Sequence, residues 1–304
     1  MIEALRAWRR RHDQLNFLRR LARDRGCSMH VRRRFVAVRR DSREIRISRA
    51  NAVYAQDLIY NFDYYFDIVE PRREGARQVV DYSRPALHTM RDDGLRFWFP
   101  ELAESMETTA LYLDYAHLEP GQTVLDLGGY AGGAAYHFLR AVGGSGRVFA
   151  FEPDARSYDC LRKNIALHQL DNVVAEPRGV WSQSGRTLFQ AEGNMGSAVV
   201  EASARSSDTK TWIDVVSLDD YCREQHIERV DFVKMDIEGS EAAILESAGA
   251  FIARYRPAMI IEVHEVQGVR TDAAVTRALE AHGYEVTVVE QAGLALPLLY
   301  ARPR

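Results

Sequence analysis

Three groups of residues in this chain have the types and spacing to do chemistry together. The first is Asp126-Leu-Gly128-Gly129-Tyr130-Ala131-Gly132-Gly133, where an apolar strand pattern runs into a glycine-rich turn and then a helical pattern. Glycines at such a junction let backbone approach a ligand and aim helix N–H groups at it. The second is Glu152-Pro153, 26 residues beyond Asp126 at the end of the next strand pattern. An acid in that place suits hydrogen bonds to ribose hydroxyls. The third is acidic: Lys234-Met-Asp236-Ile-Glu238-Gly239-Ser240-Glu241, followed later by Glu262-Val-His264-Glu265. Asp236 and Glu238 share a face if the chain stays extended, as do Glu262 and His264. Carboxylates and a histidine at strand ends suit general acid–base work. Glu241 falls at a helix start, where a carboxylate is also favoured on electrostatic grounds. Two acids and a histidine could also hold a divalent metal. Nothing in the spacing demands one, so no residue is assigned as a metal ligand.

These groups need a scaffold that brings strand ends together. From Thr123 onward, apolar strand patterns alternate with helical ones: strands at 123–128, 147–153, 172–180, 230–236 and 257–265, helices near 133–142, 154–168, 240–253 and 272–282. Strands apolar on both faces and separated by helices argue for a buried parallel sheet, hence a doubly wound α/β domain. In such a sheet, ligands meet at the carboxyl ends of the strands, where all three groups lie. Two further strands, GYEVTVVE and LALPLLYA, are joined by a short Gln291–Gly293 turn, so the last strand runs antiparallel to its neighbour. Ahead of this region a smaller α+β extension is expected over residues 1–100, with the main domain at 101–304. The extension reads as an amphipathic helix at 2–25, a hairpin at 34–49 turning at Asp41-Ser42, and an aromatic-rich segment at 54–66. That segment is read as core, with a lid or acceptor-pocket wall as the alternative. Short strands over 78–100 complete it, and a helix near 104–117 leads into the main domain.

The motifs TVLDLGGYAGG, GRVFAFEPD, GVWS, NMGSA, VDFVKMDIEGSE and RPAMIIEVHE, in this order, resemble the FkbM family of methyltransferases. The similarity spans roughly residues 100–265, and Asp236-Ile-Glu238-Gly239-Ser-Glu241 is its most specific part. Gly129 stands where the family commonly has Ala. The resemblance implies a class I methyltransferase (Rossmann-like) fold closed by a terminal antiparallel hairpin, and O-methyl transfer from S-adenosylmethionine to a hydroxyl of a sugar or secondary metabolite. It also implies roles. Glu152, with Pro153 beside it, holds the ribose diol. Gly128 and Gly132 let the backbone pass the methionine portion. Asp126 reaches the tail ammonium directly or through water, and Arg178, Gly179 and Val180 lie near adenine. Glu107 matches a family glutamate that could contact the cofactor, and Asp236 borders both cofactor and acceptor. Asp236, Glu238 and His264 are the candidates for the catalytic base. Asn194-Met195-Gly196-Ser197 matches a family Gly-Ser element that lines an acceptor pocket; Trp181 is read as core. The rival readings are a nicotinamide-dependent oxidoreductase and a non-catalytic binding protein on the same fold. The first is disfavoured because the glycine spacing is not G-x-G-x-x-G.

Charge is uneven along the 304 residues. The formal net charge is −3, yet residues 1–50 hold 16 Arg, no Lys and 5 acids, so a basic head precedes an acidic body. Arginines on the first helix could meet a membrane surface, nucleic acid, a second subunit or the chain's own acids. Packing within the chain or in a homo-oligomer is the favoured reading, and no nucleic-acid module is recognisable. The only three cysteines, Cys27, Cys160 and Cys222, form no CxxC pair, so neither a zinc ribbon nor a disulfide framework is encoded. They are expected to be neutral buried thiols. With no secretory core at the N-terminus and no apolar run near ~20 residues, the expected compartment is the cytoplasm.

Overall fold

The computed structural model describes residues 15–104, 106–190, 198–199, 210–266, 268–291 and 296–304. The chain forms two compact units, Met1–Glu104 and Ser105–Arg304.

In the first unit, residues 15–24 are helical (α1), with Leu18 and Ala22 buried and Arg19, Arg20 and Arg23 exposed. Residues 1–14 of the expected amphipathic helix lie outside the described residues. The strands are β1 (Ser28–Val31), β2 (Phe35–Arg40), β3 (Arg43–Ser48), β4 (Arg72–Glu74) and β5 (Arg77–Tyr82). They form a sheet in the order β1-β2-β3-β5-β4, parallel only between β3 and β5. The β2–β3 hairpin turns at Asp41, which adopts φ +52, a conformation short polar side chains tolerate. The charged stretch at 71–75 holds β4, which pairs back onto β5. The aromatic segment forms two short helices, α2 (Ala55–Tyr60) and α3 (Phe62–Asp67). Phe62, Tyr65 and Phe66 are buried, while Tyr60 and Tyr64 remain exposed. Strands β6 (Ala86–Thr89) and β7 (Arg96–Phe99) make a separate hairpin.

Much of the arginine excess is used inside this unit. Arg39 and Arg46 both pair with the fully buried Glu44. Arg40 and Arg43 reach Asp63 at 2.6 and 2.8 Å, and Arg46 also reaches Glu74 at 2.6 Å. Buried acids hold charge only when paired in this way.

The second unit opens with α4 (Met106–Ala116) and then alternates strand and helix: β8 (Thr123–Leu127), α5 (Gly133–Val142), β9 (Arg147–Phe151), α6 (Ala155–His168), β10 (Val173–Glu176). A second, smaller sheet interrupts the alternation: β11 (Gly179–Val180), β12 (Gly185–Gln190), β13 (Ala198–Val199) and β14 (Lys210–Val216), in the order β11-β14-β12-β13. Then follow α7 (Leu218–Glu224), β15 (Phe232–Met235), α8 (Glu241–Ser247), α9 (Gly249–Tyr255), β16 (Ala258–Glu262), the small hairpin β17 (Glu265–Val266) and β18 (Val269–Arg270), α10 (Asp272–Ala281), β19 (Tyr284–Val289) and β20 (Leu298–Pro303).

The main sheet has the order β10-β9-β8-β15-β16-β20-β19. β20 lies between β16 and β19 and is antiparallel to both, while the remaining neighbours are parallel. Alternate residues of the central strands enter two cores. Leu125, Phe149, Val233 and Met259 pack toward α7–α10; Val124, Val148, Phe232 and Ile260 pack toward α4–α6. The doubly wound α/β expectation therefore holds, as does the antiparallel closing strand, and the strand order is that of a class I methyltransferase fold. All three cysteines are buried and free, and burial pushes the Cys160 thiol up to about 12 and Cys222 up to about 11. No helix among the described residues is long and apolar enough to cross a membrane.

Candidate functional site

The site is built at the carboxyl ends of β8, β9, β15 and β16. Gly128, immediately after β8, has φ +85. A Cβ there would stand 1.8 Å from the backbone oxygen of Asp236. Only glycine allows these two strand ends to lie so close. The turn is pinned from the other side, because Gly128 and Gly129 both donate their N–H to the Phe151 carbonyl. Gly132, at φ +86, caps α5, and its missing side chain leaves room for Leu161. Between them Tyr130 is held at φ +43, an uncommon and costly conformation for a bulky residue.

That strain delivers the Tyr130 N–H to Glu152. The Glu152 carboxylate accepts from Tyr130 N at 2.9 Å and from Asp154 N at 2.8 Å. It is 7% exposed. Burial pushes its pKa up to about 8, although both backbone N–H groups favour the charged form. Asp154 in turn caps α6, accepting from Arg156 and Ser157 N–H. Pro153 reaches the second sheet: a Cβ on Gly179 would come within 3.6 Å of its ring. The structure thus brings Gly128, Gly132, Glu152, Pro153 and Gly179 to one edge.

Other expected cofactor contacts are placed differently. Asp126 was expected at the tail ammonium. It is fully buried within the sheet, opposite Lys234 in the β8–β15 register. The Lys234 ammonium lies 3.4 Å from Asp126 and 3.5 Å from Asp236 and donates to the Gly128 carbonyl at 2.6 Å. Burial raises the Asp126 pKa against the pull of Lys234. Asp126 therefore acts through Lys234 on the turn instead of facing a ligand. Arg178 spends its guanidinium on Glu176 and Glu224 at 2.8 and 2.9 Å, which removes it from direct adenine contact. Val180 is buried in the core, paired with Val216 in the second sheet. Trp181 packs against Phe189, Ile213 and Val215, as core. The side chain of Glu107 lies outside the described residues, as do Asn194, Met195, Gly196 and Ser197.

The acidic group converges, although through a turn and not through the extended strand end that the period-two spacing implied. Glu238 adopts φ +55 and Gly239 φ +98, so the chain leaves β15 in a tight strained turn before α8. Asp236, Glu238 and Glu241 all approach His264. Its Nδ1 bonds Glu241 at 2.7 Å, and its Nε2 lies 3.4 Å from Asp236 and 3.6 Å from Glu238. Glu262 joins from β16, accepting a hydrogen bond from the Tyr112 hydroxyl. Burial opposes a charged imidazole, but Asp236 and Glu241 outweigh it and push His264 up to about 11. His264 thus already carries its proton at neutral pH. That corrects the expectation of a free histidine base, because a group must be unprotonated to accept a proton. Glu238 has 29% of its side chain exposed, against 23% for Asp236, and burial with the neighbouring Asp236 pushes its pKa up to about 8.

Lys234 and Tyr112 were not singled out from the sequence as site residues. The available signal was a lysine inside a strand apolar on both faces, in a chain with only three lysines.

Methyltransferase sdnD of Sordaria araneosa is 26% identical over 204 residues, covering 57% of this chain and 78% of that protein. The 2-O-methyltransferase NoeI of Sinorhizobium fredii is 25% identical over 153 residues, covering 45% of this chain and 62% of that protein. Among solved structures, methyltransferase FkbM from Methylobacillus flagellatus aligns at 16% identity and TM-score 0.44, covering 82% of this chain and 60% of that one. The precorrin-6y C5,15-methyltransferase from Geobacter metallireducens aligns at 18% identity and TM-score 0.42, covering 71% of this chain and 96% of that one. The model of the methyltransferase FkbM domain matches residues 126–286, just over half of the chain and the whole of the site apart from Tyr112. On the matched domain, the strand order and the strand-end site, the chain belongs to the FkbM methyltransferase family.

Proposed function

We propose that the chain is an S-adenosylmethionine-dependent O-methyltransferase acting on a hydroxyl of a small molecule, a sugar or secondary metabolite. The observation that carries the reading is Glu152. A buried carboxylate seated on two backbone N–H groups, beside a turn that only glycine permits, has one acceptor lone pair left on each oxygen. Two adjacent hydroxyls of a ribose supply the matching donors. Gly128 and Gly132 let the turn beside Glu152 pack tightly against Asp236 and Leu161, which supports a methionine portion passing along the backbone of that turn. The similarity to the 2-O-methyltransferase NoeI supports a hydroxyl acceptor for this chain.

Bound S-adenosylmethionine supplies an activated methyl group on a sulfonium. The chain's part is to position the acceptor and take its proton. In the transfer this site would support, the acceptor oxygen would exchange its O–H bond for an O–CH3 bond, and the chain's residues would hold the acceptor and take that proton. Glu238, which burial and the neighbouring Asp236 push up to about 8, receives the proton in its ionised form, so turnover should rise with pH through about 8. Asp236, fixed by Lys234 and His264, keeps negative charge beside the position of the cationic donor. Alignment and desolvation at the strand ends provide the remainder of the rate.

Glu152→Ala should weaken S-adenosylmethionine binding about 100-fold above pH 8, where the side chain, pushed up to about 8 by burial, is ionised and two hydrogen bonds to it are lost. Calorimetry on a variant with a wild-type circular dichroism spectrum measures this. Unchanged affinity would refute the cofactor reading. Saturable binding of a nicotinamide dinucleotide without S-adenosylmethionine binding would favour the oxidoreductase instead.

A further inference from the structure

The geometry points to a divalent-cation site formed by Asp236, Glu262 and His264, of a kind that takes Mg2+ or Mn2+. One ligand atom from each residue lies within 4.8 Å of the others. The residues come from two adjacent strands: Asp236 ends β15, Glu262 ends β16, and His264 lies two residues further on. Two carboxylate oxygens and one imidazole nitrogen form a hard, mostly oxygen donor set with open positions, which suits Mg2+ and Mn2+.

The surroundings are arranged as an outer shell around such ligands. Glu241 accepts from His264 Nδ1 at 2.7 Å, which fixes the ring and leaves Nε2 turned toward Asp236. A carboxylate on the remote nitrogen is the usual way a ligating imidazole is oriented and made more basic. Glu241 is fully buried, and its second oxygen has no hydrogen-bond partner among the described residues. Tyr112 engages one oxygen of Glu262 and leaves the other for the cluster. Lys234 does the same for Asp236, holding Oδ2 at 3.5 Å while Oδ1 faces His264. The Nε2 distances to Asp236 and Glu238, 3.4 and 3.6 Å, are long for direct hydrogen bonds between charged partners. They leave space between the donors. On coordination, the cation displaces the proton on Nε2 to solvent.

A cation here lies at the strand ends, next to the Asp236 carboxylate, and its chemistry would be to lower the pKa of an acceptor hydroxyl. That role rests on the methyl-transfer reading; the site itself does not.

The test uses tag-free full-length protein stripped of metal, titrated with Mn2+ while free Mn2+ is followed by electron paramagnetic resonance. One saturable Mn2+ per chain is expected. Asp236→Asn, Glu262→Gln and His264→Gln should each abolish saturation. Glu241→Gln should weaken binding about 10–100-fold, as loss of an orienting partner does. Glu285→Gln, on the exposed face of β19, serves as a control that retains full binding. Absence of a saturable site in the wild type overturns the proposal, and so does wild-type affinity in the ligand variants. Should a ligand variant unfold, Glu241→Gln and Tyr112→Phe, which alter only the supporting shell, decide by the same readout. Mn2+ binding should persist in Glu152→Ala. Mn2+ bound without S-adenosylmethionine affinity in the wild type would sink the function and keep the site; the reverse pattern would do the opposite.

Discussion

Gly128→Ala should be the most damaging single methyl group that can be added to this chain. At 1.8 Å from the Asp236 carbonyl oxygen, the new Cβ overlaps backbone and not a side chain that could swing away. The φ of +85 adds a second penalty, since an L-residue there is strained whatever the space. Relief requires the ends of β8 and β15 to part. Parting them breaks the Asp236 N–H bond to Leu127 and shifts the Gly128 carbonyl from Lys234. Overpacking and left-handed strain together suggest a loss of at least about 3 kcal/mol. Two other glycines separate space from conformation. Gly132→Ala has a similar φ, +86, but meets only the Leu161 methyl at 2.6 Å, so part of the clash relaxes. Gly143→Ala has φ +68 with nothing within 4 Å and should cost about 1 kcal/mol, the conformational penalty alone. Urea unfolding of the three variants should rank them 128, then 132, then 143. Equal midpoints for Gly128→Ala and Gly143→Ala would show that the strand ends are not in contact as described. Cofactor affinity should follow the same ranking, because the displaced turn also carries the Tyr130 N–H to Glu152.

The main sheet was legible because its signal is local. Val124, Leu125, Val148 and Phe149 put apolar side chains on both faces of consecutive strands, which only a sheet covered on both sides requires. Helix starts were legible where a cap is written in, as at Asp154. Non-local features were harder to read. The single strand expected over 172–180 breaks at Pro177-Arg178, where the chain leaves the main sheet and β11 joins a different one. Proline's missing N–H is compatible with that switch, but the partner strand lies more than 30 residues on, and no pattern announces it. The helix expected over 240–253 splits at Ala248-Gly249, with Ser247 bonding back to Ile244. Small residues there weaken a helix without forbidding it. The β19–β20 hairpin was evident, whereas the insertion of β20 beside β16 depends on edge pairing that hairpin signals do not encode. In the site, the position of Asp236 and Glu262 at strand ends was legible from the strand patterns, whereas Glu238 reaches His264 through a left-handed turn that period-two spacing does not encode. The protonation of His264 was not legible, because it depends on Glu241 arriving from a helix turn 23 residues earlier. The burial of Asp126 was equally hidden, since its neutralising partner belongs to a strand more than 100 residues away.

That partner carries the second large effect. Lys234 is 3% exposed and faces two carboxylates and a carbonyl, so its replacement removes the cation that a fully buried Asp126 depends on. Breaking a buried pair from one side costs about 3–5 kcal/mol, because the remaining charge is left without a partner. Lys234→Met should therefore lower the melting temperature of the methyltransferase domain by roughly 10 °C, at about 2–4 °C per kcal/mol for a unit of this size. A purely structural role makes a further demand. If Lys234 only neutralises Asp126, then replacing both by apolar residues of similar volume should restore stability and binding together, as such replacements often cost little. Asp126→Leu with Lys234→Met should instead recover most of the stability while cofactor affinity stays low. In the double variant the core is repaired, but Asp236 and the Gly128 carbonyl still lack the ammonium that fixes them. Calorimetric melts and cofactor titrations on the two single variants and the double variant form a complete cycle. Full recovery of affinity in the double variant would reduce Lys234 to a counter-ion. Recovery of stability alone would make it the residue through which buried Asp126 positions the glycine turn and the acidic strand end.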